Sequence, residues 1–282
     1  MSNNVKIAIY RQRRAALFNA GDFLDMVRDL WGSRELIQRL VLRDFSVRYR
    51  QSVLGYFWAV VPQLVTVGIF AFLTRYRVFD MGQPELPYLV HALWSISLWQ
   101  LFSVSLVGCT DSLVNAGSLV TKVNFPKEAI VISSAATACV DFAIRLVPIL
   151  IAMAFLGFIP SLNALFILPI VLLVLMLAIG LGFILSVINL VVRDMGNMVA
   201  MVMTFGMFLA PILYPPPTRE PFSLVNVLNP FSPLLIATQE SLAGSTWSHP
   251  LAFAMSALLA LFLFLLGWRV FRITLPRVAE RA

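Results

Sequence analysis

Two side chains of opposite charge lie within an otherwise apolar stretch of the chain. Asp141 and Arg145 are four residues apart, so on a helix they share one face, with the acid nearer the N-terminus. Charges in such a segment are costly and usually face a protein interior or a wet cavity. We interpret them first as a structural ion pair that holds a helix bundle or a dimer together. The alternative is a pair on a transport pathway, and a proton relay is disfavoured because it usually needs more than one such pair.

Arginines precede the first long apolar segment. Arg43, Arg48 and Arg50 lie on a stretch in which apolar residues recur at helical spacing. A planar guanidinium can meet phosphate oxygens with two parallel hydrogen bonds, and it stays charged. These arginines, chiefly Arg48 and Arg50, are therefore candidates for binding the phosphate or pyrophosphate of a lipid headgroup. The alternative is simple anchoring to anionic lipid, which juxtamembrane basic clusters commonly provide.

Aromatic residues form a second candidate site. Trp94, Trp99 and Phe102 lie in one apolar segment, and Trp99 falls near its middle, whereas tryptophans in membranes usually lie at the interfaces. Ordinary packing is one interpretation. The other is an aromatic wall on which the C–H faces of sugar rings stack without strict geometry, which would suit a sliding polymer.

The motifs of soluble catalytic chemistry are missing from the sequence. Lys6, Lys122 and Lys127 all lack the glycine and the Ser or Thr that flank the lysine of a phosphate-binding loop. HExxH and GxSxG motifs are absent, and the two cysteines have no metal-site spacing. We therefore predict a chain that is not an enzyme, binds no metal and carries no cofactor of its own.

The composition predicts that a bilayer surrounds these residues. The chain has 282 residues, of which 60% are hydrophobic and 12% charged, whereas a soluble domain carries about 25% charge. We predict an all-α integral membrane protein. Its six transmembrane helices are expected at about residues 57–73, 88–109, 130–158, 162–192, 198–214 and 250–271. A Gly180-Leu-Gly182 sequence within the fourth predicts close helix packing.

The predicted organisation has four parts. They are a cytoplasmic N-terminal tail (1–32), an interfacial amphipathic helix (33–54), a six-span transmembrane domain (55–275) and a cytoplasmic C-terminal tail (276–282). Ser33 is expected to cap the amphipathic helix, which runs to about Arg50, and Pro62 is expected to kink the first span. Residues 1–52 lack the apolar core of a signal peptide.

Basic residues predict the orientation. Most Lys and Arg residues fall in segments that six spans would place on the side of the N-terminus, and only Arg75, Arg77 and Arg219 fall opposite. Both termini are therefore predicted to be cytoplasmic. The outer loop before the last span begins with three prolines, and its apolar segment at 234–243, ended by Gly244, is too short to span. It predicts a short re-entrant or interfacial helix on the outer side.

A family resemblance appears in the residues before the first span. Residues 40–58 read LVLRDFSVRYRQSVLGYFW, ending at Trp58. This stretch resembles ABC-2 type permeases that export polysaccharides such as O-antigen and teichoic acid. Weaker similarities are found, in order along the chain, at residues 124–128, at Arg193-Asp194, at residues 211–215 and at residues 228–233.

The resemblance implies the partners. It implies a homodimer that works with two copies of a separate ABC ATPase subunit, in which ATP and Mg would bind. The residues expected to couple to that subunit are Lys122, Asn124, Phe125, Pro126, Lys127, Arg193 and Asp194. It also implies an interfacial helix near a lateral entrance for lipid, where Arg43, Arg48, Arg50 and Trp58 would contact the substrate.

The function expected from this resemblance is export of a lipid-linked cell-surface polysaccharide across the bacterial inner membrane. Membrane lipids are expected partners, and nucleic acid is not. One alternative is an ABC-2 exporter of a smaller lipid or drug. Another is a polytopic enzyme of glycan assembly, but its loops would need clustered acids, and here the acids are scattered at Asp80, Glu85, Glu220 and Glu240. A secondary transporter is disfavoured because the two halves show no repeat.

Overall fold

The fold is helical. The computed structural model describes residues 20–49, 55–76, 86–117, 125–214 and 222–279, and within these ranges it contains no strand. The α-helices are α1 (Ala20–Gly32), α2 (Arg34–Tyr49), α3 (Val61–Arg75), α4 (Tyr88–Ala116), α5 (Glu128–Phe155), α6 (Ile167–Val191), α7 (Met195–Gly206), α8 (Phe222–Leu228), α9 (Ser232–Ala243) and α10 (Pro250–Ala279). Short 3-10 helices lie at Gly55–Ala59, Leu162–Phe166 and Met207–Leu209.

Four of the described helices are long and apolar enough to cross a membrane: α4, α5, the continuous helix Leu162–Val191 and α10. They coincide with the second, third, fourth and sixth predicted spans, and they make this an all-helical, multi-pass membrane protein. The predicted first and fifth spans correspond to shorter apolar helices, Val61–Leu73 and Met195–Leu209. The 15 residues of α3 rise about 22 Å, against about 30 Å of hydrocarbon. A total of six spans therefore stays a prediction.

Helix α4 is the centre of the bundle. It packs against α3, α5, α6, α7 and α9, and its residues are buried on almost every face. Hydroxyl side chains inside it donate to carbonyls one turn earlier, as Ser95 does to His91 at 2.6 Å and Thr110 to Leu106 at 2.8 Å. Polar residues can therefore lie in this buried helix, because each of these hydroxyls bonds within it.

Glycines set the closest helix contacts, as the Gly180-Leu-Gly182 sequence predicted. A Cβ atom on Gly180 of α6 would lie 2.5 Å from the backbone nitrogen of Phe264 on α10. A Cβ on Gly267 of α10 would overlap the carbonyl oxygen of Gly180, and one on Gly182 would overlap Cys109 of α4. The prediction of close packing is confirmed, because these backbones meet where side chains have no room.

The N-terminal region contains a helix that the sequence analysis missed. Residues 20–32, placed in a charged tail, form α1, and Met26 is buried in a cluster with Trp268 and Phe271 of α10. An ion pair of 2.6 Å joins Asp29 to Arg272 of α10. The four acidic and basic residues of this segment obscured its apolar positions, which recur at helical spacing. Helix α10 likewise continues through Pro276 into the predicted C-terminal tail.

The helix predicted from Ser33 to about Arg50 is confirmed as α2, but two local predictions are wrong. The Ser33 hydroxyl donates to the carbonyl of Asp29 at 2.9 Å, so it joins α1 to α2 instead of capping α2. Pro62 does not kink the first apolar helix. It lies in the first turn of α3, where the missing N–H leaves no hydrogen bond unmade.

The segment before α10 enters the bundle. Helix α9 packs against α4, α6, α8 and α10, and ten of its twelve residues are buried. Gly244 ends it in the left-handed conformation, with φ 84°, which glycine adopts without strain. The predicted helix ended by Gly244 is confirmed. Of the two alternatives, burial of α9 inside protein supports the re-entrant one. The helix predicted up to residue 214 ends at Leu209 instead, because Pro211 follows.

Candidate functional site

A polar cavity lies between α2, α4 and α5. Its volume is about 250 Å³, and the polar residues that line it are Arg43, Asp44, Ser112, Asn115, Ser133, Ser134 and Thr137. Arg43 and Asp44 are neighbours on α2, joined by an ion pair of 2.8 Å, and about half of the Arg43 side chain is exposed. The arginine predicted to contact a lipid phosphate therefore borders a cavity that other polar side chains also line.

The hydroxyl oxygens that line this cavity can accept hydrogen bonds from a ligand. Ser112 donates to the carbonyl of Cys109 at 2.7 Å, Ser133 to Ile130 at 2.8 Å and Thr137 to Ser133 at 2.9 Å. Since each hydroxyl has one proton, its remaining lone pairs are free to accept. Together with the guanidinium, the cavity offers donors to phosphate oxygens and acceptors to hydroxyl or amine groups. These are the groups of a polar lipid headgroup.

The other residues predicted near the entrance are only partly described. Arg48 lies near the end of α2, its side chain outside the described part, and Arg50 lies wholly outside the described residues. Trp58 is on the 3-10 helix Gly55–Ala59 and is 55% exposed, as is its neighbour Phe57. Both rings are therefore available to lipid or to a ligand.

The two intramembrane charges are both buried. Asp141 is 2% exposed and Arg145 is 8% exposed, one turn apart on α5. The Nε atom of Arg145 donates a hydrogen bond of 3.1 Å to the carbonyl oxygen of Ala59, at the end of the 3-10 helix before α3. Ala59 could not be predicted from the sequence, since a backbone acceptor carries no signal there.

The predicted aromatic residues are buried inside the helix bundle. Trp94, Trp99 and Phe102 are each at most 6% exposed. The rings of Trp99 and Phe102 lie 5.0 and 5.3 Å from the ring of Phe231, at the start of α9. The Trp94 Nε1 donates to the hydroxyl of Thr238 on α9 at 2.8 Å. All three aromatic residues therefore lie against α9 or against Phe231, which directly precedes it.

Buried polar side chains join α4 to both α9 and α3. Gln239 of α9 donates from Nε2 to the hydroxyl of Ser95 at 2.8 Å, and Gln63 of α3 donates to the hydroxyl of Ser97 at 2.9 Å. Sequence reasoning did not select these residues. The sequence does contain a clue to them, because they are polar residues in apolar segments, where each buried polar side chain needs a hydrogen-bond partner.

The residues predicted to couple to a partner lie at two connections between helices. Phe125, Pro126 and Lys127 precede α5, with the Lys127 ammonium 4.2 Å from the centre of the Phe125 ring. Burial lowers the pKa of Lys127 below its ordinary value. Arg193 and Asp194 are exposed in the turn between α6 and α7. Lys122 and Asn124 lie outside the described residues.

Comparison with known proteins identifies the family. The chain is 29% identical over 221 residues to the O-antigen export system permease protein RfbA of Myxococcus xanthus, covering 76% of this chain and 82% of that protein. It is 27% identical over 209 residues to a protein of the same name from Klebsiella pneumoniae, covering 73% and 79%. A second Klebsiella pneumoniae protein of that name is 24% identical over 217 residues, covering 76% and 83%. Residues 35–243, from the start of α2 to the end of α9, match the family described as ABC-2 type transporter, and the chain belongs to that family.

Proposed function

We propose that this protein is the membrane subunit of an ABC exporter that moves a lipid-linked cell-surface polysaccharide across the bacterial inner membrane. The observation that carries the proposal is the similarity to three O-antigen export permeases, each over about three quarters of this chain. The sequence has no phosphate-binding loop of its own. ATP hydrolysis therefore belongs to a separate ABC ATPase subunit, two copies of which assemble with a homodimer of this chain.

The polar cavity is proposed to receive the headgroup of the substrate. Arg43 contacts the phosphate or pyrophosphate, and the hydroxyl oxygens of Ser133 and Thr137 accept from the first sugar. The mixed lining supports this assignment, because a site for an anion alone would not place Asp44 beside Arg43. Arg48 and Arg50, which follow Arg43 on the same segment, are proposed to attract the lipid to the entrance.

The re-entrant helix α9 is proposed to gate the path of the polymer. In the protomer the rings of Trp94, Trp99 and Phe102 are covered by α9. They can stack on sugars only when α9 moves away from α4. The exposed rings of Phe57 and Trp58 would meet the glycan first, and the interior rings would meet it after opening.

Deletion of this gene in its own host tests the proposed function. Surface polysaccharide is expected to disappear and its lipid-linked form to accumulate inside the cell. Wild-type protein should restore export and should co-purify with an ABC ATPase. Normal surface polysaccharide in the deletion strain, with loss of export of a small lipid or drug, would support the alternative substrate class and contradict this one.

A further inference from the structure

Asn189 joins three helices through one side chain. It lies near the end of α6 and is 2% exposed. Its Nδ2 donates to the Asp111 carboxylate at 2.9 Å and to the Thr110 carbonyl at 3.2 Å, both on α4. Its Oδ1 accepts from the backbone N–H of Gly196 at 2.9 Å, in the first turn of α7. This arrangement uses both ends of the amide.

The Gly196 position shows how closely α7 approaches α4. A Cβ atom there would overlap the Asp111 Oδ1, and it would lie 3.3 Å from the Asn189 Nδ2. The Gly196 N–H belongs to the first turn of α7, where the helix itself supplies no acceptor. Asn189 supplies it, so the start of α7 is fixed by a side chain from the preceding helix.

The turn between α6 and α7 lies next to this contact. It carries Arg193 and Asp194, both exposed, four and five residues after Asn189. The backbone connects this turn directly to α6 and α7, whereas α4, which ends at Ala116, is far from it in the sequence. Through Asn189 the turn is also bound to α4, the helix that carries Trp94, Trp99 and Phe102 and contacts α3 and α9.

We propose that Asn189 is a positioning residue for energy coupling, which makes the Arg193–Asp194 turn, the start of α7 and α4 move together. A displacement imposed on the exposed turn then reaches α4, and through α4 it reaches α9. Without the three hydrogen bonds, the turn can move while α4 stays. This inference rests on the proposed function, because the displacement comes from the partner ATPase.

The test measures polysaccharide exported per ATP hydrolysed by the complex with the ATPase subunit. Asn189→Leu keeps the side-chain size and removes all three hydrogen bonds. We expect normal assembly, ATP turnover within about twofold of wild type, and export per ATP reduced at least about fivefold. Asn197→Ala, a change on the exposed side of the same turn of α7, is the matched control and should leave the ratio unchanged.

If Asn189→Leu fails to assemble, a second set of variants exchanges the amide of Asn189 with the carboxylate of Asp111. Asn189→Asp places two carboxylates together and should lower export per ATP. In the double variant Asn189→Asp/Asp111→Asn, an amide again donates to a carboxylate that accepts from Gly196, and at least about half of the ratio should return. An unchanged ratio of export to ATP in assembled single variants would overturn this inference but not the proposed function. A double variant that exports no more per ATP than Asn189→Asp would do the same. Absence of ATP-driven export by wild type would overturn the proposed function, and this inference with it.

Discussion

The Nε atom of Arg145 donates a hydrogen bond of 3.1 Å to the carbonyl oxygen of Ala59, 86 residues earlier in the chain. Ala59 ends the 3-10 helix that leads into α3, so a buried charge on α5 holds the beginning of the first apolar helix. Asp141, one turn earlier on α5, is also buried. Both charges therefore face the protein interior, which is the environment expected for intramembrane charges.

The two buried charges predict a specific pattern of stability. Asp141→Ala should lower stability by roughly 3–5 kcal/mol, because it leaves the Arg145 charge buried without the acid. Asp141→Ala/Arg145→Met removes both charges and should be closer to wild type. The measurement is the thermal unfolding midpoint in detergent, with Arg28→Met, exposed on α1, as control. Equal losses in the single and double variants would argue against pairing.

The bond between Trp94 and Thr238 should anchor α9. Thr238→Val leaves the indole N–H of Trp94 buried without its acceptor, which should cost about 1–3 kcal/mol. In a double-mutant cycle, Trp94→Phe/Thr238→Val should cost less than the sum of the single changes. Trp58→Phe, at an exposed ring, is the control. Strict additivity, measured by urea unfolding, would show that the bond contributes nothing.

The contact between Gly180 and Gly267 should tolerate no side chain. Gly267→Ala would force α10 away from α6 and should destabilise the protein by about 1–3 kcal/mol or more. Gly68→Ala is a matched control, because Gly68 lies in α3 with no atom near its Cβ position. That change should be neutral or stabilising by up to about 1 kcal/mol. Similar melting temperatures for the two variants would contradict the close packing of α6 on α10.

Thiol labelling tests the proposed orientation. Thr246, after α9, and Arg193, after α6, are both exposed. An impermeant reagent added to intact cells should label Thr246→Cys and should reach Arg193→Cys only after the membrane is opened. Background from Cys109 should be small because that residue is fully buried. The reverse labelling pattern would show that the orientation in the membrane is opposite to the predicted one.

Apolar runs were sufficient to predict the long helices, because length and hydropathy alone decide whether a helix can cross a bilayer. They were insufficient for α1, whose Met26 contacts Trp268 of α10 only in the folded chain. They also left open whether α9 is interfacial or re-entrant. That choice depends on partners such as Trp94 and Ser95, far away in the sequence.

The candidate site was predictable only in part. Arg43 was selected because arginine suits phosphate, but the hydroxyls of Ser133 and Thr137 look like ordinary helix residues until α2 and α5 are brought together. Burial of Trp99 against Phe231 was likewise invisible, since the two rings are over 130 residues apart. Asn189 could have been noticed as an amide ending a strongly apolar segment, yet its partners on α4 could not.

The most direct test of the proposed function is transport by the purified complex. Vesicles containing this protein and its ABC ATPase would be supplied with ATP and a lipid-linked polysaccharide, and the glycan moved across the bilayer would be measured by protection from a glycosidase. We expect ATP-dependent movement that requires both subunits. We expect Arg43→Gln to reduce this movement about tenfold, because one charged contact with the phosphate is lost. Movement without the ATPase subunit, or no movement when it is present, would contradict the proposed function.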